Sequence, residues 1–273
     1  MNLNGKVALV LGAIKGIGKA VALALASQGA GLALNWWDWP EHLEALEGDF
    51  AGTDALILRT DLTDTAAIAG MITKVIRRFG RLDILINNIE RGGWPIVHGP
   101  YVQGQWDLEL ATTLRAKQWV FEAALPHLKA SQEAVVINFS SIAGLVGRSG
   151  PAGLVFNTGY AAASRAIGLL TETWARMGAP EVRVNEIMLG FFETRHGPGT
   201  RGWGLLAPAQ QQAIIDHTLV GRVGTTADVV AAVLYILKEA PYMTGSVLRL
   251  DGGYVLGDER IGPMPPGVDR PSG

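Results

Sequence analysis

The sequence predicts an α/β fold, a single domain on a doubly wound parallel sheet of about seven strands. Three observations carry that expectation. Short β-rich apolar runs alternate with longer amphipathic runs from end to end. The apolar runs are continuous, as in strands covered on both faces. No repeat of 20–50 residues and no shift in composition marks a second unit. Right-handed crossovers between parallel strands then put helices on both sides of the sheet.

The elements follow in order. "KVALVLG" (6–12) reads as a buried strand, and "KGIGKAVALALASQGA" (15–30) as a helix ending at Gly29. "GLALN" (31–35) is the second strand and "ALILRTDL" (55–62) the third, with a helix over about 64–79. "LDILINN" (82–88) is the fourth strand, followed by a long helical region over about 103–130. "AVVINFSS" (134–141) is the fifth, then a loop and a helix from about 160 to 178. "VRVNEIM" (182–188) and "SVLRLDGG" (246–253) are the sixth and seventh, with a helix around 226–239 between them. "RHGPGTRGWGLLAPAQQQ" (195–212) breaks the alternation and reads as a flap over a substrate, centred on about 190–215. The domain is expected to span 1–257, with a Pro/Gly-rich tail over 258–273.

A chain of 273 residues can bury a substantial core, and with 48% hydrophobic and 18% charged residues it has an ordinary globular composition. A formal charge of −2 and no polybasic run speak against nucleic-acid or membrane-surface partners. The absence of cysteine excludes disulfides, thiolate nucleophiles and cysteine metal sites. His42, His98, His127, His196 and His217 show no metal-ligand spacing, so no metal is expected. The N-terminal apolar run is too short for a membrane span and lacks a signal peptide's features, which leads to a cytoplasmic expectation.

"LGAIKGIG" places Gly12, Gly16 and Gly18, with Lys15 and Ile17 between them, where the first strand turns into the first helix. Such a turn lets backbone approach a pyrophosphate, which the helix N-terminus attracts. The spacing alone also suits any tight strand–helix turn. Its position at the carboxyl edge of a parallel sheet favours the nucleotide.

Further signposts come in order: "TDLTD" with Asp61, "LDILINN" with Asn87 and Asn88, "INFSSIAG" with Ser141, Tyr160, "VNEI" with Asn185, "FFET" with Thr194, and "TGSVLRLDGG". Together with the glycine turn, over residues 4–257, they resemble the short-chain dehydrogenase/reductase family. The resemblance implies a Rossmann-like fold binding NAD(P)(H). It sets Asp61 and Leu62 by the adenine, Asn88 at the cofactor and Thr194 near the nicotinamide. It also implies a small-molecule carbonyl or alcohol substrate, Tyr160 as the proton-transferring group, Ser141 on the substrate oxygen, and a homodimer or homotetramer.

The chain departs from the family at the site itself. The family's lysine follows the tyrosine by four residues and lowers its pKa; here that position holds Ser164. Arg165 could reach the tyrosine only by snorkelling back, because positions 160 and 164 lie about 40° apart around a helix and 160 and 165 about 140°. Arg165 reads as a solvated surface residue. Thr113 stands where the family's water-anchoring asparagine is expected. Ile89 and Glu90 replace the usual Ala-Gly after Asn88, Leu11 a threonine, and Leu189 a proline. At the end of the second strand, "NWWDWP" offers Trp36 at the ribose position, with Asp38 two residues on, and Lys15 leans the reading to NADP over NAD. Trp94, Trp203, Phe191, Phe192 and Leu205 suggest an apolar cleft, flanked by His98, His196, Glu90 and Glu193.

Two readings stand. One is an NAD(P)-dependent oxidoreductase with an altered relay of Ser141, Tyr160, Ser164 and Thr113. The other is a protein of the same fold without dehydrogenase activity: a non-redox enzyme, a ligand-binding protein or an inactive partner subunit.

Overall fold

The computed structural model describes residues 1–90, 102–194 and 201–257. Seven parallel strands form one sheet: β1 (Val7–Val10), β2 (Gly31–Trp36), β3 (Ala55–Arg59), β4 (Ile84–Asn87), β5 (Ala134–Ser141), β6 (Val182–Leu189) and β7 (Val247–Leu250). Their spatial order is β3-β2-β1-β4-β5-β6-β7, every neighbouring pair parallel. The direction of winding reverses between β1 and β4. A crevice opens there at the carboxyl ends of the strands, where ligands of such sheets bind.

The helices are α1 (Gly16–Ser27), α2 (Leu43–Asp49), α3 (Thr65–Phe79), α4 (Gln103–Glu109), α5 (Ala116–Ser131), α6 (Ala143–Val146), α7 (Thr158–Gly178), α8 (Pro208–His217) and α9 (Thr226–Leu234). Alternate strand residues face opposite ways and feed two cores. Ala8 and Val10 pack with Val21 and Leu25 of α1 and Val229 and Val233 of α9. Val7, Leu9 and Leu11 pack with Ile72 and Val75 of α3 and Val120 and Phe121 of α5. Trp174 of α7 stacks on Phe121 with ring centroids 4.5 Å apart. Among the described residues no helix is long and apolar enough to cross a membrane.

One expectation is refined and one corrected. The helical region expected over about 103–130 is helical throughout, as two helices joined by a π-helical turn, Leu110–Arg115, a form that recurs at functional sites. The irregular stretch ends earlier than residue 212, because α8 starts at Pro208. Proline at the first helical position is preset in φ, and the Gln210 side chain accepts from the Ala207 N–H at 2.9 Å. Residues 195–200 of the expected flap, the tail beyond 257, and Trp94, His98 and His196 lie outside the described residues. Helix α2 carried no sequence expectation.

At the opposite end of the sheet, buried Asp83 ties β1 to β4 and α5. Its carboxylate accepts from the Val7 N–H (2.9 Å), Arg81 Nε (2.7 Å) and the Ser131 hydroxyl. Burial alone would raise its pKa, but bonds from Arg81, Ser131 and Val7 hold it below the usual value. A depressed folded-state pKa stabilises above the unfolded value of about 3.9, and that stabilisation is lost as pH falls below it. Asp83→Asn is therefore expected to lower stability at pH 7 by about 2–3 kcal/mol and to soften the loss on acidification, as read by thermal melts between pH 7 and 3. Parallel loss curves for the two proteins would remove Asp83 from this role.

Candidate active site

The glycine turn sits in the crevice. Gly12 has φ 63°, and a Cβ there would overlap the Asn88 carbonyl oxygen. A Cβ on Gly18 would overlap the Gly12 carbonyl and approach Asn88 Nδ2 to 2.8 Å. The first turn of α1 can therefore close onto the loop after β4 only with glycine at these positions. Asn88 Nδ2 completes the closure by donating to the Leu11 carbonyl at 3.3 Å. Gly16 differs: its φ is 57°, and a Cβ there would meet no atom within 4 Å. Lys15 stands at the N-cap of α1 with no side-chain bond to the helix's own N–H groups, and the first turn carries no acidic residue. The helix thus presents its N-terminal N–H groups to the crevice.

A cleft of about 190 Å³ opens over this turn. Gly12, Lys15, Gly16, Ile17, Trp36, Asp61, Leu62, Asn88 and Thr194 all line it. Gly18 does not, and acts through packing. Trp37, Asp38 and Trp39 form part of the same wall. Trp36 is buried at the end of β2, and Arg59 faces it across the β2–β3 pairing. The Arg59 guanidinium lies 5.3 Å from the Trp36 ring and 4.7 Å from the Trp37 ring, and Lys15 Nζ lies 3.6 Å from the Trp39 centroid. Asp61 accepts from the Thr63 N–H (2.8 Å) and hydroxyl (2.7 Å), which shapes the loop beneath the cleft.

Ile17, Glu90 and Thr194 line this cleft and also a second pocket holding Ser141, Tyr160, Phe191, Phe192 and Trp203, so the two adjoin. Phe156 and Phe191 stack in that pocket at 5.0 Å. Leu205 faces outward and Leu206 takes its place, while Glu193 is exposed.

Tyr160 stands at the junction. Asn157 caps α7 and accepts from the Tyr160 N–H at 2.8 Å, which fixes the first turn and aims the ring inward. The side chain is buried, with its hydroxyl donating to Glu90 Oε2 at 2.7 Å. Ser141, at the end of β5, hydrogen-bonds the same hydroxyl and accepts from the Ala143 N–H at 3.1 Å. Burial pushes the phenol well above its ordinary pKa, and the Glu90 charge and hydrogen bond push it further; Ser141 opposes them.

Ser164 is buried one turn on, and its hydroxyl has no partner among the described residues. Arg165 is exposed. The Thr113 hydroxyl, inside the π-helical turn, donates to Glu109 Oε1 at 2.7 Å.

The sequence did not point to a buried lysine, yet Lys117 is only 1% exposed. Its ammonium donates to the carbonyls of Ile89 and, at 3.2 Å, Thr113. Burial lowers its pKa to about 8, against the charges of Glu90, Glu186 and Glu109. Glu186 of β6 is wholly buried, accepts from Ser140, and has its Oε2 unpartnered among the described residues. Its pKa is raised by burial, opposed by Ser140, Lys117 and Arg165. Sequence reasoning also missed Arg59 and Glu109. Among the described residues no cluster of side chains could hold a metal ion.

Residues 12–255 match a family model described as enoyl-(acyl carrier protein) reductase. A 3-oxoacyl-[acyl-carrier-protein] reductase of Thermotoga maritima is 30% identical over 94% of this chain and the whole length of the relative. A 1,6-dihydroxycyclohexa-2,4-diene-1-carboxylate dehydrogenase of Pseudomonas putida is 31% identical over 92% of this chain and 93% of its own. Among solved structures, a short-chain dehydrogenase/reductase from Serratia marcescens superposes with a TM-score of 0.79 at 26% identity, covering 93% of this chain and all of the other.

Proposed function

The chain belongs to the short-chain dehydrogenase/reductase family, and we propose that it is an NAD(P)(H)-dependent oxidoreductase that reduces a carbonyl on a small-molecule substrate to the alcohol. The observation that carries this reading is Tyr160, bonded to Ser141 and seated where the glycine-turn cleft meets an aromatic pocket.

The cleft suits a dinucleotide. Gly16 leaves open the space a side chain would fill, and the uncapped first turn of α1 favours a pyrophosphate. Asp61 and Leu62 would flank the adenine, and Thr194 would lie toward the nicotinamide. Lys15 in the cleft wall, over Trp39, and Arg59 behind it, beside Trp36, favour a 2′-phosphate, hence NADP over NAD, with Asp38 opposing them. When bound, the reduced cofactor supplies the hydride. The protein's part is to hold the substrate oxygen with the Ser141 hydroxyl and to give it a proton from Tyr160. The stacked pair Phe156 and Phe191, with Trp203, suits an apolar group flanking the carbonyl. The expected location is the cytoplasm. Leu169 (68% exposed) and Met177 on the outer face of α7 suit a homodimer or homotetramer.

A second reading has one observation in its favour. The Glu90 carboxylate occupies the Tyr160 hydroxyl and lines the nucleotide cleft, as in a protein of this fold without dehydrogenase activity. Titration with NADPH and NADH separates the two. Tryptophans in the cleft wall should report saturable binding by fluorescence, tighter for NADPH. Thermal stability should rise by about 2.7 kcal/mol at a hundredfold excess over Kd. No binding of either nucleotide at millimolar concentration would overturn the oxidoreductase reading.

A further inference from the structure

We propose that Lys117 is this protein's replacement for the lysine absent from position 164, a positioning residue that acts on Tyr160 through Glu90. The inference rests on the oxidoreductase reading and specifies which buried cation supports its proton donor.

The geometry begins with the chain of contacts. Tyr160 donates to Glu90 at 2.7 Å. The residue before Glu90 is Ile89, whose carbonyl is held by the Lys117 ammonium. The same ammonium bonds the Thr113 carbonyl one turn back, in the π-helical segment. Lys117 therefore fastens the loop that aims Glu90 at Tyr160, and brings a positive charge to that carboxylate. Position 164 is filled by a buried hydroxyl with no partner among the described residues. The cation enters the site from the start of α5, rather than from α7.

Charge bookkeeping favours the assignment. When Tyr160 gives its proton to a substrate oxygen, a phenolate is left beside the Glu90 carboxylate. Two adjacent anions, one of them the buried Tyr160 phenolate, are disfavoured unless a cation lies near them. Lys117, held on the Ile89 carbonyl next to Glu90 in sequence, is a cation near enough to feel the charge of Glu90, and those of Glu186 from β6 and Glu109 from α4. Arg165 of α7 acts on Glu186 from the surface. The proton that Tyr160 gives to the substrate oxygen is replaced from solvent through the cleft that Glu90 lines, and Lys117 keeps its own proton throughout. With its pKa brought down to about 8 by burial, the ammonium is charged at pH 7 and loses that charge above pH 8.

The test uses the full-length protein with NADPH and acetoacetyl-coenzyme A between pH 6 and 10. Wild-type kcat is expected to fall above about pH 8 as Lys117 loses its charge. Lys117→Met should lower kcat at pH 7 by about a hundredfold and remove that inflection. Ser164→Lys added to Lys117→Met should recover at least about tenfold of the loss, because it returns a cation from the other helix. A purely structural role would show neither the lost inflection nor the rescue. Wild-type kcat and pH profile in Lys117→Met would overturn the proposal, as would an inflection that survives the substitution. A second measurement needs no turnover. In protein carrying 13C-labelled lysine, the resonance missing from Lys117→Met should titrate near pH 8, and Glu90→Gln should move that titration to lower pH. An unmoved titration overturns the coupling. Failure of the oxidoreductase reading looks different, since wild-type protein would then bind neither nucleotide.

Discussion

Tyr160→Phe is expected to lower NADPH-dependent carbonyl reduction by about a thousandfold while changing nucleotide affinity less than threefold, because the phenol supplies only the proton. Burial and the Glu90 carboxylate hold its pKa well above the ordinary value, so the hydroxyl stays protonated from pH 6 to 9. Reduction needs that protonated form, and the fall expected above pH 8 therefore belongs to Lys117 rather than to Tyr160. Alcohol oxidation needs the phenolate, and should be slow at pH 7 and climb steadily toward pH 10. The variant also leaves Glu90, half-buried at the cleft wall, one donor short, at a stability cost of about 1 kcal/mol. Steady-state rates in both directions, with nucleotide binding as the control for folding, check the assignment. Full turnover by the variant would take Tyr160 out of the reaction.

The fold was legible because its signals are collective. Seven apolar runs, each long enough for one strand, overdetermine a parallel sheet, and the structure places every one of them in it. The Tyr160–Ser141 pair was legible only through the family resemblance that the ordered motifs carry. What the sequence reading missed is the buried charge. Lys117 carried no sequence expectation, yet it falls in the stripe Thr113, Lys117, Val120, Phe121 and Ala124, which turns inward along the π-helical turn and α5. A lysine in such a stripe is desolvated unless the chain ends nearby, and that was the available signal. Glu186 gave a similar one, since a strand buried on both faces leaves no outward position for a carboxylate. Glu90 was noted for its bulk and charge, but its bond to Tyr160 depends on the path of the loop after β4, which no local pattern specifies. Arg59 became visible only through strand register, which sets it opposite Trp36. The role of Ser164 was legible only as an absence, and the compensating group lies 47 residues away on another helix.

Gly16→Ala and Gly18→Ala are expected to fail in different ways, and the contrast tests the cleft as a phosphate site. At Gly18 the added methyl meets backbone, the carbonyl of Gly12, which cannot swing aside. The turn must open, α1 must shift from the loop after β4, and the free protein should lose several kcal/mol of stability, of the order seen for overpacked cores. Nucleotide affinity would fall with it. At Gly16 the methyl meets no atom within 4 Å, so the free protein bears only the cost of a left-handed φ, about 1 kcal/mol. Yet that open space is where a pyrophosphate would have to approach the N–H groups of α1. Gly16→Ala should therefore melt within a few degrees of wild type while weakening NADPH binding by a hundredfold or more, roughly 2.7 kcal/mol of lost affinity. Melting curves and fluorescence titrations of both variants give the four numbers. A Gly16→Ala protein that binds NADPH as wild type does would mean that the glycine turn serves packing alone, and that the nucleotide, if bound at all, lies elsewhere.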